Sequence, residues 1–469
     1  MNTPIAVLGA GPAGLGAAYK LARRGCYQVS VFERSKTAGG NAGSFELEGQ
    51  RVDYGSHRLH PSCRPEILAD IQAMLGADLL DRPRHGRIRL RGRWVHFPLK
   101  PHDLARNLPP DFLFGVARDA ALKPFQPKPG DSFAAVLQRG LGRTICRDFY
   151  FPYAVKMWGL PPDQLDPEQA QRRVSAGSFA KMARKILNAV PGLKAKGAGR
   201  YFYPRRGYGQ ISEAYLDAAL RAGAVVHFST AVTAIEWQDG RARAVRAAGP
   251  ATELRVEARQ ILSTIPLPAL VRALTPAAPE TVLASASSLH YRAMILIYLV
   301  LDADRFTEYD AHYFPELDIP ITRLAEPKNY SLVGAPGTTV LCAELPCASS
   351  DDVWSATDDE LDRLVREGLA RAGIPIRAPV RKVVTRRLEQ AYPIYTRGYR
   401  EHFDRLDAWI GAIDGLITFG RQGLFAHDNT HHALAMAYAA CECLDDHGAL
   451  DHARWAAHRL EFQSHVVED

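Results

Sequence analysis

No pair of cysteines in this chain has the spacing of a metal knuckle or a redox motif. The seven cysteines (Cys26, Cys63, Cys146, Cys342, Cys347, Cys441 and Cys443) are odd in number and scattered. That argues against a disulfide framework and a metal site, and for reduced thiols in a cytoplasmic protein. Long apolar runs are missing as well. The longest, residues 293–301, falls far short of the ~20 residues that a spanning helix needs. Nothing ahead of Pro4 has the make-up of a basic and apolar leader, so a soluble protein is expected, with room left for peripheral contact with a membrane surface. Glycine has no triplet period, which excludes collagen, and repeats and low-complexity tracts are absent. Charge is only mildly unbalanced, with 58 Lys and Arg against 51 Asp and Glu. That excess suits an anionic small molecule better than nucleic acid, and there is no interleaved basic–aromatic RNA motif or helix-turn-helix pattern.

What is present is a large apolar fraction, 47% of 469 residues, too high for a disordered chain. The length exceeds one ordinary core and implies two or three domains, or one large α/β unit with an insertion. The opening residues are the most informative. Residues 5–8 read as a buried strand, Gly9-x-Gly11-x-x-Gly14 as a turn, 15–25 as a helix ended by a glycine, and 28–33 as a second strand. In such a unit Gly9 permits the tight turn and Gly11 lets the backbone approach a pyrophosphate. Gly14 lets helix and strand pack closely, while Pro12 and Ala13 open a helix whose unpaired N–H groups attract phosphate. Glu33 stands about 20 residues on, where an acid hydrogen-bonds ribose hydroxyls and disfavours a 2′-phosphate. Arg34 and a second glycine loop, Gly39-Gly40-Asn41, follow directly.

Along the chain the texture changes at about residue 82. Short strands at 87–90 and 94–97 give way to helix-like stretches rich in Arg, Lys and aromatics, punctuated by proline clusters. Regular α/β texture returns with a helix at 209–222, a strand at 225–229, a hairpin about Asp239 and Gly240, and a strand at 261–265. A mixed segment from about residue 270 to 399 carries long strands at 294–301 and 340–345 and one helix at 358–372. The last unit is a strand at 415–419, a turn, and a helix at 433–444, followed by an amphipathic tail after Asp451. The expected division is 1–81, 205–269 and 406–469 for a dinucleotide-binding domain, 82–204 for a substrate domain with a helical insertion, and 270–405 for a β-rich substrate domain.

The second glycine loop resembles that of two-dinucleotide-type flavoproteins, and the chain resembles the FAD-dependent superfamily of protoporphyrinogen oxidase, amine oxidases and UDP-galactopyranose mutase. Gly39–Asn41, the segment Tyr54-Gly55-Ser56-His57-Arg58-Leu59-His60, residues 93–98, 153–159, 319–326 and 392–395, and finally Gly420, Arg421, Gly423, Asp428 and Asn429 are similar in order to motifs of the mutase branch. There are departures: Ser56 precedes His57 where the mutase has proline, Met157 replaces a glutamine, and the 425–427 stretch lacks the mutase's tyrosine. The resemblance implies a Rossmann-type (glutathione-reductase-like) FAD-binding domain with a helical insertion and a β-rich substrate domain. It implies an extended FAD with pyrophosphate at Gly9–Gly14, ribose at Glu33, adenine near Val232, and the flavin ring among Gly39–Asn41, Gly55–His57 and Asp428–Thr430. Arg421 is expected to reach a cofactor phosphate.

Several side chains have both a functional and an ordinary reading. His57 is expected to tune the flavin or act as acid and base, the ordinary reading being a satisfied buried histidine. His60 has a weaker claim. Trp158 is either a stacking wall or a core aromatic. Arg323, on an apolar-flanked strand, is either paired by Glu326 or Glu344 or binds a substrate anion. Tyr392, Tyr395 and Arg397 are candidates for a polar face over the flavin. Lys181, Arg184, Lys185, Lys194, Lys196, Arg200, Arg205 and Arg206 are either a steering patch or a solvated face. A helix starting near Thr430 would aim its N-terminal amides at the flavin pyrimidine. The expected activity is hydride removal from an organic, anionic substrate such as a nucleotide sugar or a biosynthetic intermediate. The alternatives are a redox-neutral mutase in which reduced FAD is the nucleophile, and a flavin-binding scaffold without catalysis.

Overall fold

The computed structural model describes residues 2–123, 130–173, 199–250 and 252–467; of the basic patch, Lys181, Arg184, Lys185, Lys194 and Lys196 lie outside them. The opening strand Thr3–Leu8 is apolar and buried over its last four residues, as the centre of a parallel sheet must be. It lies in a five-stranded parallel sheet ordered Leu416–Thr418, Gln260–Ser263, Thr3–Leu8, Tyr27–Phe32, Val225–His227. The strands come from widely separated stretches of sequence, so the doubly wound architecture is assembled from discontinuous segments. The helix Pro12–Ala22 begins with proline at its first turn and packs against the helix Thr430–Glu442. This is the Rossmann-type fold expected from the glycine turn.

The antiparallel strands Ala231–Gln238, Arg241–Ala248 and Glu253–Glu257 form a second, smaller sheet with Leu274–Thr275. The β-rich part is a seven-stranded sheet ordered Val380–Ile394, His290–Leu301, Thr339–Cys347, Arg323–Ala325, Ala311–Tyr313, Gly86–Leu90, Arg93–Phe97. His290–Leu301 and Thr339–Cys347 are buried almost throughout, which explains why the long apolar run 293–301 is a central strand and not a membrane segment. The hairpin Gly86–Leu90 and Arg93–Phe97 joins this sheet from a distant stretch of sequence through a parallel pairing to Ala311–Tyr313.

Helices Pro110–Leu122, Phe133–Leu141 and Phe151–Trp158 pack on one another beside that hairpin and share an apolar core with Ile88, Leu90 and Val95. A π-helical turn at Cys146–Tyr150 precedes Phe151–Trp158. Such turns rotate side chains relative to a regular helix and recur at functional sites. The seven cysteines are unbridged. Among the described residues no helix is long and apolar enough to cross a membrane.

Candidate functional site

One crevice of about 1350 Å³ runs between the parallel sheet, the seven-stranded sheet and the helical layer. Its first half is built by backbone. Gly11 caps the helix Pro12–Ala22 without a side-chain hydrogen bond, so the first-turn amides face the crevice unclaimed. A Cβ at Gly11 would stand in open space, whereas one at Gly14 would lie 1.9 Å from the Gly9 carbonyl oxygen. Gly11 therefore leaves room for a ligand, and Gly14 brings helix and strand into contact. Glu33 ties the cradle together: its carboxylate accepts from Ala10 N and Ser35 N, each at 2.8 Å. Gly39 N donates to the Ala10 carbonyl at 2.8 Å. Gly39 has φ +112°, open to glycine alone at little cost, and a Cβ there would meet the Gly43 backbone at 2.6 Å.

Gly9, Gly11, Pro12, Ala13, Glu33, Arg34, Gly40 and Asn41 all line this half, as do Val232, Gly420, Asp428, Asn429 and Thr430. Gly14, Gly39 and Gly55 do not; they shape the wall from behind. The donor set fits an extended dinucleotide cofactor. The glycine-capped start of Pro12–Ala22 would receive the phosphates, Glu33 would meet the ribose, and the second helix, Thr430–Glu442, starts at the crevice wall.

The second half is built by side chains. Ile88, Phe97, Phe133, Phe149, Tyr150, Tyr153, Met157 and Trp158 make an aromatic pouch. Trp158 is 4% exposed and meets Tyr392 edge-on, with centroids 6.0 Å apart. Two guanidinium groups pack on the Tyr392 ring, Arg173 at 5.1 Å and Arg421 at 4.7 Å from its centroid. Arg421 donates to the Ala391 carbonyl at 2.8 Å, and burial, with repulsion from Arg173, lowers its pKa. Among the described residues neither arginine has a carboxylate within ion-pair reach. Arg421 thus packs against Tyr392 at the pouch, a contact that the sequence did not announce.

His57 lies where the two halves meet. Its Nε2 is 2.9 Å from the Tyr54 carbonyl, so that nitrogen carries the proton and Nδ1 keeps the lone pair. The ring stacks on Tyr208 at 5.3 Å. Burial holds its pKa below the usual histidine value against the pull of Asp53, so the imidazole is neutral at pH 7. His60 stands apart, hydrogen-bonded to Ser62.

Arg323 has a partner. Its Nε and Nη2 donate to Glu344 at 2.9 and 2.8 Å, and Glu344 also accepts from Ser56 N at 2.8 Å. Glu326 is committed elsewhere, to Phe306 N, Thr307 N and Thr339 Oγ1. Arg323 therefore lines the crevice as half of a charge-matched pair and not as a free anion binder.

Tyr395 requires a correction. It is buried outside the crevice, stacks on Tyr399 at 4.1 Å and donates its hydroxyl to the Phe425 carbonyl at 2.9 Å. Side chains alternate across an extended chain, so residues three apart face opposite ways and Tyr392 and Tyr395 cannot share a face. Arg397 is exposed beyond the strand end. Sequence reasoning also missed Arg58, which lines the crevice and pairs with Asp310 at 3.4 Å, although it lies inside the 54–60 segment. Arg173 and Val467 carry no local signal; only the fold brings them to the crevice.

Asp428, His432 and His465 have the composition of a metal site. Their geometry is that of a hydrogen-bonded cluster. The two imidazoles are stacked at 4.2 Å and 13°, and each turns its Nδ1 to one carboxylate oxygen. His465 Nδ1 lies 3.0 Å from Asp428 Oδ1, and His432 Nδ1 lies 3.3 Å from the same oxygen. Burial alone would raise the Asp428 carboxyl; the two imidazoles hold it below its usual range.

Among solved structures, the chain is similar to a reduced UDP-galactopyranose mutase (TM-score 0.80, 21% identity, 94% of this chain and 93% of the other). It is also similar to cyclohexylamine oxidase from Brevibacterium oxydans IH-35A (TM-score 0.63, 17% identity, 94% and 98%). At these identities the likeness is one of fold. Phytoene dehydrogenase of Streptomyces griseus is 28% identical over 276 residues, 51% of this chain and 50% of that protein. The chain thus matches about half the length of that curated relative. A 1-hydroxycarotenoid 3,4-desaturase from Flavobacterium sp. (strain P99-3) is 51% identical over 49 residues, 10% of each chain. The family model for flavin containing amine oxidoreductases matches residues 12–416. With an uncapped, glycine-lined cradle at one end of the crevice and that match across most of its length, the chain belongs to the flavin containing amine oxidoreductase family, and FAD is its cofactor.

Proposed function

We propose that the protein is an FAD-dependent oxidoreductase that removes a hydride from a flat, largely apolar organic substrate bearing one anionic group. The observation that carries this reading is the continuity of the crevice: a cofactor cradle opens without a break into an aromatic pouch. When bound, FAD supplies a two-electron acceptor for hydride. In this reading Gly11 and the first turn of Pro12–Ala22 hold the diphosphate, Glu33 the ribose and Val232 the adenine. Asn41, His57 and Asp428–Thr430 surround the ring.

Trp158, Met157, Phe149 and Tyr153 would exclude water and hold the apolar body by stacking. Arg173 and Arg421, both packed on the Tyr392 ring, would grip a carboxylate or phosphate, since a pair of guanidiniums in a crevice with no acidic partner among the described residues favours an anion. His57, neutral and fixed by Tyr54, presents Nδ1 as the acceptor for a substrate proton or a hydrogen bond. The dehydrogenase and desaturase names of the curated relatives support hydrogen removal.

The redox-neutral sugar mutase is the competing chemistry. Commitment of Arg323 to Glu344 counts against it, because that is the arginine the sequence pointed to for the diphosphate of a nucleotide sugar. The test is anaerobic titration of FAD-loaded protein with apolar carboxylates, amines and nucleotide sugars. Bleaching of the flavin by an apolar acid, with Arg173→Ala raising the half-saturating concentration about tenfold or more, is the expected result. Turnover of a nucleotide sugar only after dithionite reduction, with no net oxidation, overturns the reading.

A further inference from the structure

The residues after the helix His452–Phe462 turn back over the crevice. Val467 is buried and lines it. Three hydrogen bonds to Arg172 hold this return: Arg172 Nη1 donates to the Phe462 and His465 carbonyls, each at 3.1 Å, and Val467 N donates to the Arg172 carbonyl at 2.8 Å. Arg172 is itself fixed by Glu168, through Nε at 3.0 Å and Nη2 at 2.8 Å. The return places His465 against Asp428, which is 5% exposed, lines the crevice and precedes Asn429, the N-cap of the helix Thr430–Glu442.

Asp428 is surrounded by groups of one tendency. His465 and His432 reach its carboxylate directly, the His431 ring lies 4.1 Å from that of His432, and Arg421 acts on it from farther off. His432 Nδ1 is 3.3 Å from both Asp428 Oδ1 and Asn429 N. It can donate to the first only when protonated, and otherwise accepts from the second. Among the described residues His465 Nδ1 has no such competing partner, which makes it the steadier donor.

We propose that His465 is a positioning residue of the flavin site. By holding and partly neutralising Asp428 it removes the repulsion that a bare carboxylate would exert on an electron-rich reduced ring, while Val467 closes the wall beside it. The proposal rests on the reading that the ring lies among Asn41, His57 and Asp428–Thr430. Its sign follows from electrostatics: a donor to Asp428 favours the reduced flavin, and its loss favours the oxidised one.

The test measures the flavin midpoint potential by spectroelectrochemistry and the quenching of bound flavin fluorescence by iodide, on FAD-loaded full-length protein. His465→Ala is expected to lower the potential by an amount equal to tenfold in the equilibrium constant, about 30 mV for a two-electron couple. His465→Gln, which keeps a donor, should recover most of that shift. In an Asp428→Asn background the effect of His465→Ala should vanish. Val467→Ala should raise iodide quenching without moving the potential. An unchanged potential in FAD-bearing His465→Ala, or an equal shift in the Asp428→Asn background, overturns the proposal and leaves the oxidoreductase reading intact. A wild-type protein that folds but takes up no FAD overturns both.

Discussion

The two halves of the crevice are made of different material. The cradle is backbone: glycines, amides and one carboxylate whose partners are all main-chain N–H groups. The pouch is side chain: rings, two arginines on one tyrosine and an ion pair in its wall. Backbone recognition fixes a common cofactor and tolerates little change, whereas side-chain recognition can be rewritten residue by residue without unravelling the sheet beneath. The cradle therefore speaks for the cofactor and the pouch for the substrate.

The largest expected effect that sharpens this contrast is in the pouch wall. Arg323→Ala strands Glu344, which is almost fully buried, and should cost about 3–5 kcal/mol. The double change Arg323→Met with Glu344→Leu should recover most of that in thermal or denaturant unfolding. Recovery would show that the pair is replaceable, as a side-chain wall should be. Gly14→Ala has no such remedy: the added methyl meets the Gly9 carbonyl oxygen, and a loss of about 1–3 kcal/mol is expected together with loss of bound FAD, read as the absorbance ratio of flavin to protein.

Acid probes the sheet behind the pouch. His312 shares a strand with the crevice-lining Tyr313, is buried on the opposite face, and burial drives its pKa down to about 3. The unfolded chain takes up that proton near 6.5 and the folded chain refuses it until about 3. Its share of stability is therefore complete above about pH 6.5 and is lost as the pH falls through that window. His312→Phe should flatten the acid limb of a stability–pH curve. The smallest effect is Tyr395→Phe. Losing one hydrogen bond to the Phe425 carbonyl should cost about 1 kcal/mol and leave the kcat and KM unmoved, in contrast to Tyr392→Phe or Tyr392→Ala.

The cradle was legible in the sequence because its determinants are local. Gly9, Gly11, Gly14 and Glu33 act within a single βαβ unit, where strand, turn and helix read from composition alone. The pouch was legible only in part. The 153–159 segment and Tyr392 drew attention, but the strand Val380–Ile394 turns Tyr395 away from Tyr392, and no spacing rule tells which of the two faces a cavity. Arg323 had two acidic candidates nearby in sequence, and strand register chose Glu344 by setting it directly across from Arg323. Arg173 and Val467 reach the crevice only through packing between elements distant in sequence, an arrangement that single-residue patterns do not encode.

The helices Pro12–Ala22 and Thr430–Glu442 press together, and just past them Arg24 donates to the carbonyl of Leu444, 420 residues away along the chain. A growing polypeptide makes the phosphate-binding turn long before the helix that braces it. Flavin capture must therefore wait until that later helix has been made, and a chain terminated ahead of it would carry an intact fingerprint yet stay colourless.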